Sequence, residues 1–167
     1  MRSAYGANEQ TICEHPATIV VDVANVMGSR PDGWWRDRAG AAVRLYSELA
    51  ALAASGRVIL PAETGQGVAG PPPDAAGPVI PPVFVMVLEG AALAAASRIS
   101  AAPGQAPPGR IRVVEARGSG DDAIVDLVRD LSGRCVVVTA DRALRDRCVA
   151  AGATVLGPAW LLARLRP

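Results

Sequence analysis

Four aspartates of this 167-residue chain have the type and placement to do chemistry: Asp22, Asp121, Asp122 and Asp141. Asp22 stands in the apolar run TIVVDV (18–23), flanked by Val20, Val21 and Val23, where a carboxylate is costly to bury without a purpose. Asp121 and Asp122 follow the run IRVV (111–114) and open a helical pattern; Asp141 follows RCVVVT (134–139) and opens another. If these runs are parallel strands, their ends deliver all four carboxylates to one rim of a sheet, where ligands of open α/β folds bind. Carboxylates gathered so closely raise one another's pKa unless a cation neutralises them. Small clusters of hard oxygen ligands suit Mg²⁺ or Mn²⁺, ions that bridge to phosphate oxygens and activate water.

Each acid also has a plain structural reading. Asp22 would be satisfied by backbone amides at a strand end. Ser119-Gly120-Asp121-Asp122 fits a capping box, although Asp122 and Asp126 then place like charges four apart on the helix. Asp141 fits a helix N-cap with Arg145 as its i,i+4 partner. Three further residues border the same rim. Asn25, three beyond Asp22, is placed to orient a metal-bound water or a phosphate, or to serve as an ordinary turn residue. Glu89, after VFVMVL, either completes the acidic rim or caps a following helix. Thr139 ends its strand two residues before Asp141, within reach of a metal-bound water.

The elements that must hold these residues read as alternating strands and helices. Runs 18–23, 83–88, 111–114 and 134–139 are β-branched and mostly continuous, as in parallel strands covered on both faces; 153–156 is a fifth, short run. Helical stripes occupy 37–55 (Val43, Leu45, Tyr46, Leu49, Leu52) and 122–131 (Ala123, Ile124, Leu127, Val128, Leu131), with two more helices at 142–151 and 159–165. The alternation predicts a three-layer α/β/α domain with a mostly parallel central sheet and helices on both faces. The chain reads as one domain over 1–167, with an N-terminal extension at 1–16 and a Pro/Gly-rich loop insertion at 61–82; a smaller stretch at 101–109 repeats that composition. A spacer is a better reading of 61–82 than a proline-rich binding motif.

Composition narrows the chemistry. All 17 basic residues are arginine, so a P-loop lysine, Schiff-base catalysis and pyridoxal-phosphate attachment are excluded. The single histidine, His15, disfavours histidine triads and multi-histidine zinc sites. Cys13, Cys135 and Cys148 show no C-x-x-C spacing and are odd in number, which points away from a disulfide framework. No segment has the length and apolarity of a signal peptide or membrane span, so the expectation is a cytoplasmic protein without a membrane partner. A net charge of +1 advertises no broad nucleic-acid face.

At these residues the sequence resembles the PIN-like nucleases, in particular their NYN branch of metal-dependent ribonucleases. The Asp-x-x-Asn-Val motif after the first strand is matched by Asp22-Val23-Ala24-Asn25-Val26, and the small-Asp-Asp motif opening a helix by Gly120-Asp121-Asp122. The Ser/Thr-x-Asp motif is matched by Thr139-Ala140-Asp141, and the final Gly-Ala strand by Gly152-Ala153-Thr154-Val155-Leu156. The resemblance spans about 17–165. It departs at Val23, where the family often has Gly, and at Glu89, where Asp is commoner. It implies metal coordination by Asp22, Asp121 or Asp122, and Asp141, with Asn25 in support. It also implies in-line hydrolysis leaving a 5′-phosphate and a 3′-hydroxyl.

The segment GSRPDGWWRDR (28–38) follows Asn25 and is expected to overhang the site. Arg30, Arg36 and Arg38 would grip phosphates, and Trp34 or Trp35 would stack on an unpaired base of single-stranded RNA. The plain alternative packs one Trp under a helix and pairs the arginines with Asp32 and Asp37. Beyond RNA, a protein inhibitor or a second copy of the chain are the partners to consider. Two other functions compete: a catalytically inactive PIN-like module that binds RNA or protein, and a Mg-dependent phosphatase. The phosphatase is disfavoured because Ala24 stands where its second Asp belongs and no lysine steadies the phosphate.

Overall fold

The computed structural model describes residues 16–58, 60–61, 80–101 and 106–165. The extension expected at 1–16 and the insertion expected at 61–82 lie outside the described residues except at their edges. Cys13 and His15 lie outside them too.

Five strands form one sheet: β1 (Thr18–Asp22), β2 (Val83–Leu88), β3 (Ile111–Glu115), β4 (Cys135–Val138) and β5 (Thr154–Leu156). Their order is β3-β2-β1-β4-β5 and every pairing is parallel. β1 is central, with Thr18 in register with Val83 on one side and Cys135 on the other. The chain winds outward from β1 to β3, then returns to the other side of β1 for β4 and β5. The order therefore reverses between β1 and β4, and the crevice at that junction is where doubly wound sheets take ligands.

The near-continuous apolar strands follow from cover on both faces. Successive side chains of a strand point to opposite sides, so both sides must be apolar when both are buried. Ile19 and Val21 of β1, Phe84, Met86 and Leu88 of β2, and Val136 and Val138 of β4 pack into one layer. There they meet α1 (Val23–Gly28), α2 (Arg38–Ser55), α3 (Ala95–Ser100) and α6 (Pro158–Leu165). Val20, Val85, Val87, Cys135 and Val137 face the other layer, formed by α4 (Gly120–Asp130) and α5 (Arg142–Ala150). Alanine-rich α2 buries Leu45 and Leu49 together with Ala41 and Ala42, whose small side chains take little room against the sheet. Asp37 caps it by accepting from Gly40 N at 2.8 Å.

The expected elements are present, with ends moved by a residue or two. Two helical segments carried too little periodicity to be expected from a stripe. One is α1, six residues long. The other is the alanine-rich Gly90–Ser100, a 3-10 turn that runs into α3. Among the described residues no helix is long and apolar enough to cross a membrane.

Candidate active site

Asp22 is at once the last residue of β1 and the N-cap of α1. Its Oδ1 accepts from the backbone N–H of Asn25 at 3.1 Å, and its Oδ2 accepts from Asn25 Nδ2 at 2.8 Å. Thr139, immediately beyond β4, donates its hydroxyl to the same Oδ2 at 2.7 Å. Only 5% of Asp22 is exposed. Burial is the main force on its carboxyl and raises its pKa; the bonds from Thr139 and Asn25 pull the other way, and the charge of Glu89 adds to the rise. Asn25 and Thr139 thus both hold Asp22 in one orientation. The β1–β4 pairing brings Thr139 there, because the two strands run the same way and end together.

Thr139 also links Asp22 to Asp141. Its Oγ1 accepts from the backbone N–H of Asp141 at 3.0 Å while its proton goes to Asp22. Asp141 then caps α5, its Oδ1 accepting from Leu144 N at 2.7 Å. The N-cap expected for Asp141 is present, and Asp141 still bears on the cluster through its charge.

The start of α4 is built differently from the expected capping box. Ser119 is the N-cap residue, yet its side chain makes no capping bond. Glu89 does that work from the end of β2, accepting from Gly120 N at 2.8 Å. Gly120 is the only type that fits without a shift, since a Cβ there would meet Glu89 Oε2 at 2.5 Å. Asp122 is turned outward to Arg147 of α5, with Arg147 Nη2 donating to Oδ1 at 2.6 Å. Asp121 faces the rim instead. Among the described residues no hydrogen bond holds its carboxylate. Its pKa is raised first by partial burial, then by the charges of Asp141, Asp22 and Glu89, with Arg147 opposing them.

The structure therefore draws Asp22, Asp121, Asp141 and Glu89 into one field of negative charge at the β1–β4 junction, with Asn25 and Thr139 as supports, and leaves Asp122 outside it. Glu89, expected to complete the rim or to cap the helix that follows it, makes no capping bond there and caps α4 instead, and the Arg147–Asp122 pairing had no sign in the sequence. As the side chains lie, no three Asp, Glu, His or Cys residues among those described are close enough to grip an ion together. The donor chemistry nonetheless suits a hard divalent cation: all oxygen, mutually repelling, and including one carboxylate held by no hydrogen bond. Both described cysteines are buried, and burial raises their thiol pKa values, that of Cys135 to about 11.

The segment between α1 and α2 leaves the carboxyl end of β1 by way of α1 and leads into α2. Arg30 is turned to α2, where Nη1 and Nη2 bond Glu48 Oε1 and Oε2 at 3.1 and 2.5 Å. Asp32 accepts from Trp34 N at 3.1 Å, and Gly33, with φ +74°, admits the turn Trp34–Arg36. Trp34 packs against the core, whereas Trp35 is 58% exposed. Arg38 lies over Trp34 at 5.3 Å and Arg36 over Trp35 at 6.0 Å. Asp32 and Asp37 take the roles of local caps rather than partners of Arg30, Arg36 or Arg38.

No protein-family model matches the chain, and no curated protein matches its sequence. Among solved structures the fold is similar to Rae1 (YacP) from Bacillus subtilis, seen in a crystal structure of a point mutant. The superposition covers 89% of this chain and 73% of that one, with a TM-score of 0.50 and 12% sequence identity. At that identity the likeness is one of fold. The five-stranded, all-parallel sheet between two helical layers is the PIN-like α/β/α architecture expected from the sequence, and the likeness to Rae1 extends to that fold.

Proposed function

We propose that this protein is a divalent-metal-dependent ribonuclease, cytoplasmic, that hydrolyses phosphodiester bonds of single-stranded RNA. One observation carries the reading: Asp121, bonded to nothing that would quiet its charge, faces Asp22, Asp141 and Glu89 at the junction where the strand order reverses. Asp22, Asp121 and Asp141 are the residues that would hold Mg²⁺ or Mn²⁺. When bound, such an ion supplies a water of lowered pKa and stabilises charge on the phosphate and leaving oxygen. Asn25 and Thr139 fix the Asp22 carboxylate, and Glu89 fixes the first turn of α4 and with it Asp121. The motifs shared with the NYN branch support the same assignment. The absence of lysine is no obstacle, since this chemistry asks for carboxylates and arginine. The near-neutral chain favours short unpaired strands over long duplexes.

A second reading, a PIN-like module that binds RNA without cutting it, draws on the spacing of the acids, no three of which among the described residues stand close enough to grip an ion as the side chains lie. Incubating the purified chain with an unstructured oligoribonucleotide decides between them. Cleavage that needs Mg²⁺ or Mn²⁺, stops with chelator and is lost in folded Asp22→Asn and Asp141→Asn supports the enzyme. Binding without cleavage at saturating metal supports the module, and metal-dependent attack confined to small phosphomonoesters would make it a phosphatase.

A further inference from the structure

We infer that Trp35 is a nucleobase subsite, a fixed shelf on which one unpaired base of the bound strand stacks. The inference rests on the RNA reading above and names the residue that would select unpaired RNA. Among the described residues Trp35 is one of three large apolar side chains left exposed, and it sits on the segment where two tryptophans are followed by Arg36 and Arg38. Its neighbour Trp34 is sunk against the core and meets it edge to face, with ring centroids 6.3 Å apart and planes at 87°. Trp35 is thereby presented to solvent by a half-buried partner.

The backbone beneath it is pinned at three points: the two-pronged Arg30–Glu48 pair, the Asp32 bond to Trp34 N, and the Asp37 bond to Gly40 N. A shelf ordered before binding loses little conformational entropy when a base arrives. Arg36, whose guanidinium lies over one side of the Trp35 ring at 6.0 Å, supplies positive charge at the shelf and leaves the other side of the ring for a base. The segment follows Asp22 and α1 directly in the chain and leads into α2, so it departs from the end of β1 that carries Asp22. Stacking uses the π-face that every base has, and a duplex hides that face. The arrangement therefore takes unpaired RNA with little preference for sequence.

The test measures binding in chelator, so its outcome does not depend on cleavage. Anisotropy of a labelled oligoadenylate is followed with wild type, Trp35→Ala and Trp35→Phe, alongside an abasic ribose-phosphate oligomer and a duplex of equal length. We expect Trp35→Ala to weaken oligoadenylate binding roughly 5- to 150-fold, the equivalent of one base stack. Trp35→Phe should recover most of it, and the abasic oligomer should bind both wild type and Trp35→Ala equally poorly. Wild-type tryptophan fluorescence should be quenched by the oligomer, and Trp35→Phe should lose that quenching. Equal binding of oligoadenylate by wild type and Trp35→Ala would overturn the proposal, as would equal binding of base-bearing and abasic oligomers or of single strand and duplex. If stacking is found and metal-dependent cleavage is not, the nuclease reading fails and the subsite stands.

Discussion

Thr139 Oγ1 donates a 2.7 Å hydrogen bond to Asp22 Oδ2, joining residues 117 positions apart across the junction of β1 and β4. The same oxygen accepts from the Asp141 backbone, so one hydroxyl sets the spacing of two of the proposed ligands. Thr139→Val keeps the shape and removes both bonds. We expect it to destabilise the protein by about 1.5–3 kcal/mol, the range for a hydrogen bond to a charged group, while Thr139→Ser should retain most of the stability. Denaturant melts check the stabilities. A ¹³C titration should show the Asp22 carboxyl rising further in Thr139→Val, because the hydroxyl bond is a cause that lowers it.

Asp22 and Asp121 both have carboxyls raised above the usual aspartate range. The folded state then binds these protons more tightly than the unfolded chain. Their favourable contribution is complete below about pH 3.9, the ordinary value, and is lost as pH climbs through the raised values. In chelator, stability should therefore decline on the alkaline side of that window by more in wild type than in Asp121→Asn, which removes one repelling charge and no hydrogen bond. Thermal melts of the two proteins at stepped pH give the comparison; parallel curves would contradict it.

Divalent metal should reverse that penalty. An ion that binds only the folded state stabilises it by about 2.7 kcal/mol at a concentration of a hundred times its Kd. Mn²⁺ or Mg²⁺ should raise the melting temperature of wild type, chelator should remove the gain, and Asp121→Asn and Asp141→Asn should show little of it.

Glu89 combines a charge with a structural bond to Gly120 N, and the two can be separated. Glu89→Ala leaves the first N–H of α4 without its acceptor and should cost about 1 kcal/mol, as loss of a helix cap does. Glu89→Gln keeps an acceptor and should be close to wild type in chemical denaturation. If the charge also serves metal, Glu89→Gln should still lower metal affinity.

The Arg30–Glu48 pair is one of the contacts that hold the tryptophan segment to α2. Arg30→Ala should cost about 1 kcal/mol at this partly exposed site, and Arg30→Lys should recover little, since an ammonium cannot make the two-pronged contact. Oligonucleotide binding should fall along with it, through loss of order in the segment that carries Trp35.

The sheet was legible because valine-rich runs announce strands covered on both faces, and parallel strands that end together bring Asp22, Thr139 and Asp141 to one place. What sequence could not show was direction. Asp121 and Asp122 are adjacent letters, but on a helix adjacent residues point about 100° apart, so one faces the rim and the other Arg147. Ser119 satisfied the spacing of a capping box, yet Glu89, thirty-one residues from Gly120, took the bond. Trp34 and Trp35 likewise differ only in which way the turn at Gly33 sends them. Short α1 carried too few residues for a stripe to form.

Asp22 ends β1 and begins α1 with no residue between, so that carboxylate has no hinge on which to swing. Asp121 is tethered only through its own flexible side chain. A visitor of unaccustomed size would be met by one stationary jaw and one that travels, and any adjustment of grip has to come from the α4 side.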